Sequence, residues 1–269
     1  MLLADSCFNI THESFNSDLD DVMKSANKSG IEYFFTPAAR ESDANQIIKL
    51  SEEYKNIYFA LGIHPHHASE LRPHTISNIK KLLDHPNAKA VGEIGLDYYR
   101  NFQSKDVQIK CFENFLELSV EIQKPAFLHL REAFHDFKPI VLNQLNNLPR
   151  SIVHCFTGSK KELTEILDMG MYIGITGWLC DPKRGEDLRK ILQHIPLESL
   201  IIETDAPYLV PKNLEKRPKN NRNEPKYLAH VCLTISELLN IPAEKIAEQT
   251  TSNFKNLFRI QDQRNQSER

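Results

Sequence analysis

No CxxC pair occurs among the five cysteines Cys7, Cys111, Cys155, Cys180 and Cys232. Their odd number and wide scatter do not support a zinc knuckle and fit free thiols in a reducing compartment better than a disulfide framework. No apolar run approaches the length of a membrane span, and the opening MLLADSCFNI lacks a basic segment and reaches Asp5 almost at once. Neither a transmembrane helix nor a secretory leader is therefore expected, and the chain reads as soluble and cytoplasmic with its own N-terminus. An excess of positive charge is also missing, since 33 Lys and Arg stand against 36 Asp and Glu, for a net charge of −3. That argues against a generally basic nucleic-acid coat, so a polyanion must be met by a local patch or a bound cation. Low-complexity segments, short-period repeats and linker-like shifts of composition are absent too, which leaves one domain over residues 1–260 and a polar tail, 261–269, expected to fray. A monomer is expected.

What is present is a rhythm. Strand-like apolar runs recur at 2–10, 31–36, 57–63, 88–96, 125–130, 151–156, 171–176 and 199–204. Between them lie amphipathic stretches, such as 18–30 with Leu19, Val22, Met23 and Ala26 on one face, and 106–122 with Phe112, Phe115, Leu116 and Val120. Eight strand-then-helix units in 269 residues predict an α/β fold, a (β/α)₈ TIM barrel. After the eighth strand comes a long polar segment, 206–223, then helices at 225–239 and 242–258. The last of these carries Ile246, Phe254, Leu257 and Phe258 and is expected to close the barrel.

In AKAVGEIGLDYYR, residues 88–100, the carboxylate of Glu93 interrupts what otherwise reads as a buried strand with no basic residue near its middle. A carboxylate taken out of water must be neutralised, hydrogen-bonded or bound to a cation. In a barrel the chemistry collects at the C-terminal strand ends. Here they carry Cys7 and Asn9, His64, Glu93 and Asp97, His129 and Arg131, His154, and Glu203 and Asp205. Alone, His129 or His154 is more often a core histidine bonded to a carbonyl, and Asp205 before Ala206-Pro207 a turn residue. Two imidazoles and two carboxylates at the same end of nearby strands instead converge on one point. Nitrogen with carboxylate oxygen suits zinc, manganese or magnesium, and the carboxylates favour the harder ions, Mg²⁺ first. His66 and His67 read as solvated loop residues, and His64 as a group that supports a ligand or contacts a phosphate; Asp97, with Tyr98 and Arg100, follows Glu93 on the rim, to line a substrate groove or to stand solvated.

The strings GIHPHH at Gly62, VGEIGLDYYRN at Val91, HLREAF at His129, HCFTGS at His154, IGITGWLCDPKRG at Ile173, IETDAPYLVP at Ile202 and NRNEP at Asn221 occur in order along nearly the whole chain. Together they resemble the TatD family of metal-dependent deoxyribonucleases. The ITGW segment with Cys180-Asp181 and the Arg-Asn-Glu-Pro turn resemble the branch for which that family is named. The resemblance implies a cytoplasmic metal-dependent phosphodiesterase acting on DNA, single-stranded by preference, and on RNA from the 3′ end, with a role in DNA repair or degradation. It places metal ligands at Glu93, His129 and His154, and the aspartate after strand eight, Asp205, is expected to join them at the metal.

Asp205 is then expected to orient or deprotonate a water, and Glu203, on the same strand face, to orient a ligand. Most relatives carry His-x-His on strand one where this chain has Cys7-x-Asn9, so at most one tight ion is expected before substrate arrives. His64, Arg131, Trp178 and Arg222 are the expected substrate contacts, with basic residues of 212–226 along the phosphate backbone and Tyr98, Tyr99, Phe102 and Trp178 against bases. Two rivals share the metal constellation: an amidohydrolase-like enzyme for a small amide or ester, and an inactive metal-binding adaptor.

Overall fold

The computed structural model describes residues 1–261. Eight parallel strands lie in chain order: β1 (Leu3–Asp5), β2 (Ile31–Pro37), β3 (Ile57–Leu61), β4 (Ala88–Asp97), β5 (Ala126–Arg131), β6 (Ile152–Val153), β7 (Tyr172–Ile175) and β8 (Leu200–Ile202). The seam between β8 and β1 is closed just beyond both strands by a parallel bridge, Phe8 to Ala206, in which Asp205 N–H donates to Cys7 O (2.8 Å) and Asn9 N–H to Ala206 O (2.9 Å). Helices α1 (Leu19–Lys28), α2 (Ala44–Glu53), α3 (Thr75–Leu82), α4 (Lys105–Glu121), α5 (Phe134–Gln144), α6 (Lys160–Asp168) and α7 (Glu186–Ile191) each follow the strand of the same number. This is the (β/α)₈ order expected from the periodicity.

Five of the strands, β1, β3, β6, β7 and β8, are shorter than the apolar runs that announce them. β1 stops at Asp5 and β6 at Val153, because the following residues leave the ladder for the barrel mouth; Cys155 takes a left-handed conformation (φ 45°). The helix expected from Pro225 starts with a 3₁₀ turn, Pro225–Tyr227, before α8 (Leu228–Leu239).

The last helix, α9 (Ala243–Phe258), packs across the end of the barrel opposite the mouth. Phe258 stacks on Phe35 with centroids 3.8 Å apart, Phe35 stacks on Phe127 at 5.4 Å, and Phe127 stacks in turn on the ring of His154 at 4.8 Å. Each buried phenylalanine contributes about 1.5–3 kcal/mol. The stack also carries rigidity from the closed end of the barrel to an imidazole at the open end.

Candidate metal centre

One carboxylate oxygen organises the mouth. Glu93 Oε1, on β4, lies 2.9 Å from His129 Nδ1 on β5, 2.7 Å from His154 Nε2 just past β6, and 3.3 Å from His64 Nε2 just past β3. The sequence brings β4 and β5 close enough by placing Gly95 (φ 142°) opposite His129: a Cβ there would stand 2.0 Å from the His129 carbonyl oxygen. Burial pushes the Glu93 carboxyl up, but His154, His64 and His129 outweigh it and hold it well below the usual carboxylate range.

The protons on these imidazoles can be assigned. His64 Nδ1 accepts from His66 N–H (3.1 Å), and burial lowers the His64 pKa to about 4. The ring is therefore neutral with its proton on Nε2, and His64 faces the cluster as a hydrogen-bond donor. His129 Nε2 lies 3.1 Å from Asp97 Oδ2. Burial opposes ionisation of Asp97, but hydrogen bonds from His129, His66 and the Arg100 N–H outweigh it and hold its pKa far below the ordinary value. An ionised Asp97 can only accept, so His129 Nε2 carries a proton and Nδ1 is left facing Glu93.

His154 supplies the test of whether these residues suit a metal. Its Nδ1 is buried without a hydrogen-bond partner, 3.6 Å from Glu203 Oε1, while its Nε2 lies against Glu93. In the neutral ring one nitrogen must turn a lone pair toward a carboxylate. A second proton relieves this, and although burial opposes that charge, Glu93 and Glu203 hold the His154 pKa well above its ordinary value. A divalent cation would relieve it too: His154 Nε2, His129 Nδ1 and a Glu93 oxygen are the donors that would hold it, with the His154 proton then on Nδ1, facing Glu203. Two imidazole nitrogens and a carboxylate oxygen, with Asp97 behind His129 and Glu203 near His154, form a donor set that fits such an ion.

Asp205, left-handed at φ 54°, sits on the far side of the mouth at the seam. Its Oδ1 accepts from Asn9 Nδ2 (3.0 Å) and from the Cys7 thiol (3.6 Å). Cys7 and Asn9 thus hold Asp205. Burial and the surrounding carboxylates push the Cys7 thiol well above its usual pKa, which keeps it a donor. Burial also raises Asp205 to about 6, against the opposing charge of His154. Glu203, fully buried, accepts from the Cys155 N–H and from Ser6 Oγ (3.2 Å). Room for it comes from Gly174, where a Cβ would stand 2.7 Å from its Oε1.

Other residues differ from the sequence expectation. His66 is tied to Asp97 (2.9 Å) and packs on Phe102, and His67 pairs with Glu70 (3.5 Å), so neither is a freely solvated loop residue. Asp97 is buried, not a rim charge. Arg222 is held by Asp18 (2.6 Å) and Glu224 (3.0 Å), Lys226 by Glu224 (2.6 Å) and Lys212 by Asp181 (2.8 Å). The basic segment is therefore largely neutralised within the fold, with Lys216, Arg217 and Lys219 exposed. Arg131 ends β5 at the mouth, and Trp178 lies in the 3₁₀ turn after β7.

A parallel eight-stranded barrel with a carboxylate and two imidazoles gathered at its C-terminal mouth defines the class of metal-dependent hydrolases. The profile of the family described as TatD related DNase matches residues 4–259. Proteins named 3′-5′ ssDNA/RNA exonuclease TatD from Citrobacter koseri and Salmonella typhimurium are each 38% identical over 252 residues, covering 94% of this chain and 97% of theirs. The crystal structure of YjjV, a TatD homologue of Escherichia coli K12, superposes with a TM-score of 0.86 at 26% identity, covering 97% of this chain and 98% of that one. The chain belongs to the TatD related DNase family.

Proposed function

We propose that this protein is a metal-dependent nuclease that hydrolyses phosphodiester bonds of single-stranded DNA, and of RNA, from the 3′ end. The observation that carries the reading is the convergence of His129 Nδ1 and His154 Nε2 on Glu93 Oε1. The name of the bacterial relatives supports the polarity and both substrates.

Glu93, His129 and His154 are the residues that would hold the ion. When bound, a divalent ion supplies positive charge for phosphoryl oxygens and lowers the pKa of water. Mg²⁺ is the proposed ion, favoured by the carboxylates, with Mn²⁺ and Zn²⁺ as alternatives. Asp205, with a pKa raised to about 6 and one oxygen fixed by Asn9, is placed to take a proton from the attacking water near neutral pH. Glu203 orients His154, and Asp97 orients His129. His64 offers an Nε2–H toward an anionic oxygen at the cluster.

The cysteines are free thiols, in keeping with a reducing cytoplasm, and among the described residues no helix is long and apolar enough to cross a membrane. The proposed state is a monomer. Repair or degradation of DNA is the proposed use of that reaction. The test is incubation with single-stranded DNA labelled at either end, with EDTA, Mg²⁺, Mn²⁺ or Zn²⁺. A metal-dependent ladder that shortens from the 3′ end is expected, and intact substrate under all three ions would overturn the reading.

A further inference from the structure

At the mouth, side chains from three strand ends stack in alternation. The Arg131 guanidinium carbon lies 4.0 Å from the ring centroid of Tyr99 and 5.6 Å from that of Trp178. Arg100 continues the row beyond Tyr99 (5.8 Å), and Arg184 beyond Trp178 (4.4 Å). Arg184 is neutralised by Asp181 at 2.7 Å. Arg131 is not: among the described residues it has no carboxylate within ion-pair distance. A guanidinium lying against aromatic faces keeps its N–H edge open for bidentate contact with an oxyanion.

The row is rigid and close to the metal centre. Arg131 follows His129 by two residues on β5, which puts it on the same side of the strand about 7 Å farther out, near the spacing of neighbouring phosphates. The Trp178 ring is fixed by its Nε1–H donating to Arg184 O (3.0 Å), and its backbone N–H donates to Thr176 Oγ1 (3.2 Å). Tyr99 is 53% exposed. An unpaired cation between two aromatic faces matches what a single strand presents, a phosphate flanked by base faces. A duplex hides its base faces in the stack and cannot use them this way.

We infer that Tyr99, Arg131 and Trp178 form the subsite for the nucleotide next to the scissile phosphate, with Arg131 on its phosphate and the two aromatic rings against bases, and that this row selects single-stranded ends. The inference rests on the nuclease reading.

Trp178 is the sole tryptophan of the chain, so its emission reports this subsite directly. The full-length protein in EDTA is titrated with a thymidine oligonucleotide, with a blunt duplex of the same length, and with inorganic phosphate. Saturable quenching by the single strand alone is expected. Arg131→Ala and Tyr99→Ala should weaken it about 5- to 100-fold, while Tyr99→Phe, which keeps the ring, should restore wild-type affinity. Equal quenching by duplex, or unaltered affinity in both alanine variants, would overturn the subsite. Cleavage of end-labelled strand in Mg²⁺ without quenching in EDTA would overturn the subsite and leave the nuclease reading standing. Quenching without cleavage under any ion would overturn the nuclease reading.

Discussion

Oδ2 of Asp97 lies between two imidazoles, 3.1 Å from Nε2 of His129 and 2.9 Å from Nε2 of His66. One buried carboxylate thereby fixes which nitrogen of His129 faces Glu93. Carboxylates behind a ligating histidine are typically worth 10–100-fold in metal affinity. Asp97→Asn should therefore weaken divalent-ion binding by about that factor, measured by calorimetric titration, without loss of helical signal. Wild-type affinity would show that His129 is oriented by other means.

Glu93→Gln should lose both tight ion binding and cleavage, because the amide nitrogen or oxygen that replaces Oε1 cannot neutralise the cation. Asp205→Asn should behave differently. It keeps the Glu93, His129 and His154 donors, so ion binding should persist while single-turnover cleavage falls by about 10²–10⁴. A variant at Asp205 that cleaves at the wild-type rate would remove it from the reaction.

Chelation should stop cleavage and lower thermal stability together. An ion that binds the folded chain alone, at a hundredfold excess over its Kd, stabilises by about 2.7 kcal/mol. Scanning calorimetry in EDTA and in Mg²⁺ checks this, and identical midpoints would argue against a tight site in the absence of substrate.

Asp181 gives a pH dependence away from the metal centre. It accepts from the N–H groups of Lys183 and Arg184 (3.0 Å each) and pairs with Arg184 (2.7 Å) and Lys212 (2.8 Å). Burial raises its pKa, but Lys212 and Arg184 outweigh it and hold the carboxyl well below its usual value. A depressed carboxyl pKa contributes stability that is present above the unfolded value, about 3.9, and is lost as pH falls through the folded value. The Tm advantage over Asp181→Asn should be constant from pH 7 to about 5 and shrink on further acidification. An advantage that grows in acid would contradict the pairing.

Phe258→Ala should cost about 3–5 kcal/mol, read from the denaturant midpoint, because it opens a cavity between α9 and Phe35 that the closed barrel cannot collapse.

The fold was legible because a half-buried helix and a fully buried strand leave different periods, and eight alternations have few other solutions. Glu93, His129 and His154 stood out because charge and imidazole at the end of an apolar run are costly without a partner. Asp97 did not stand out, although its even spacing from Glu93 along β4 was a usable signal, since its partners, His129 and His66, come from the neighbouring strand and from a separate loop. The basic residues misled for the same reason. Lys212 and Arg222 read as a patch until Asp181 and Asp18 are brought in from other parts of the chain, and Lys226 until Glu224, two residues away, is seen to pair with it. Pairing between distant loops is a property of the folded surface and leaves no local period.

The seam ties the activity to the order in which the chain is made. Asp205 is held by Cys7 and Asn9, almost two hundred positions earlier in the sequence, and Glu203 by Ser6. A ribosome-bound chain that has emerged only through β6 already owns Glu93, His129 and His154 but has no aspartate against its first strand. The site is therefore complete only when the eighth strand docks on the first.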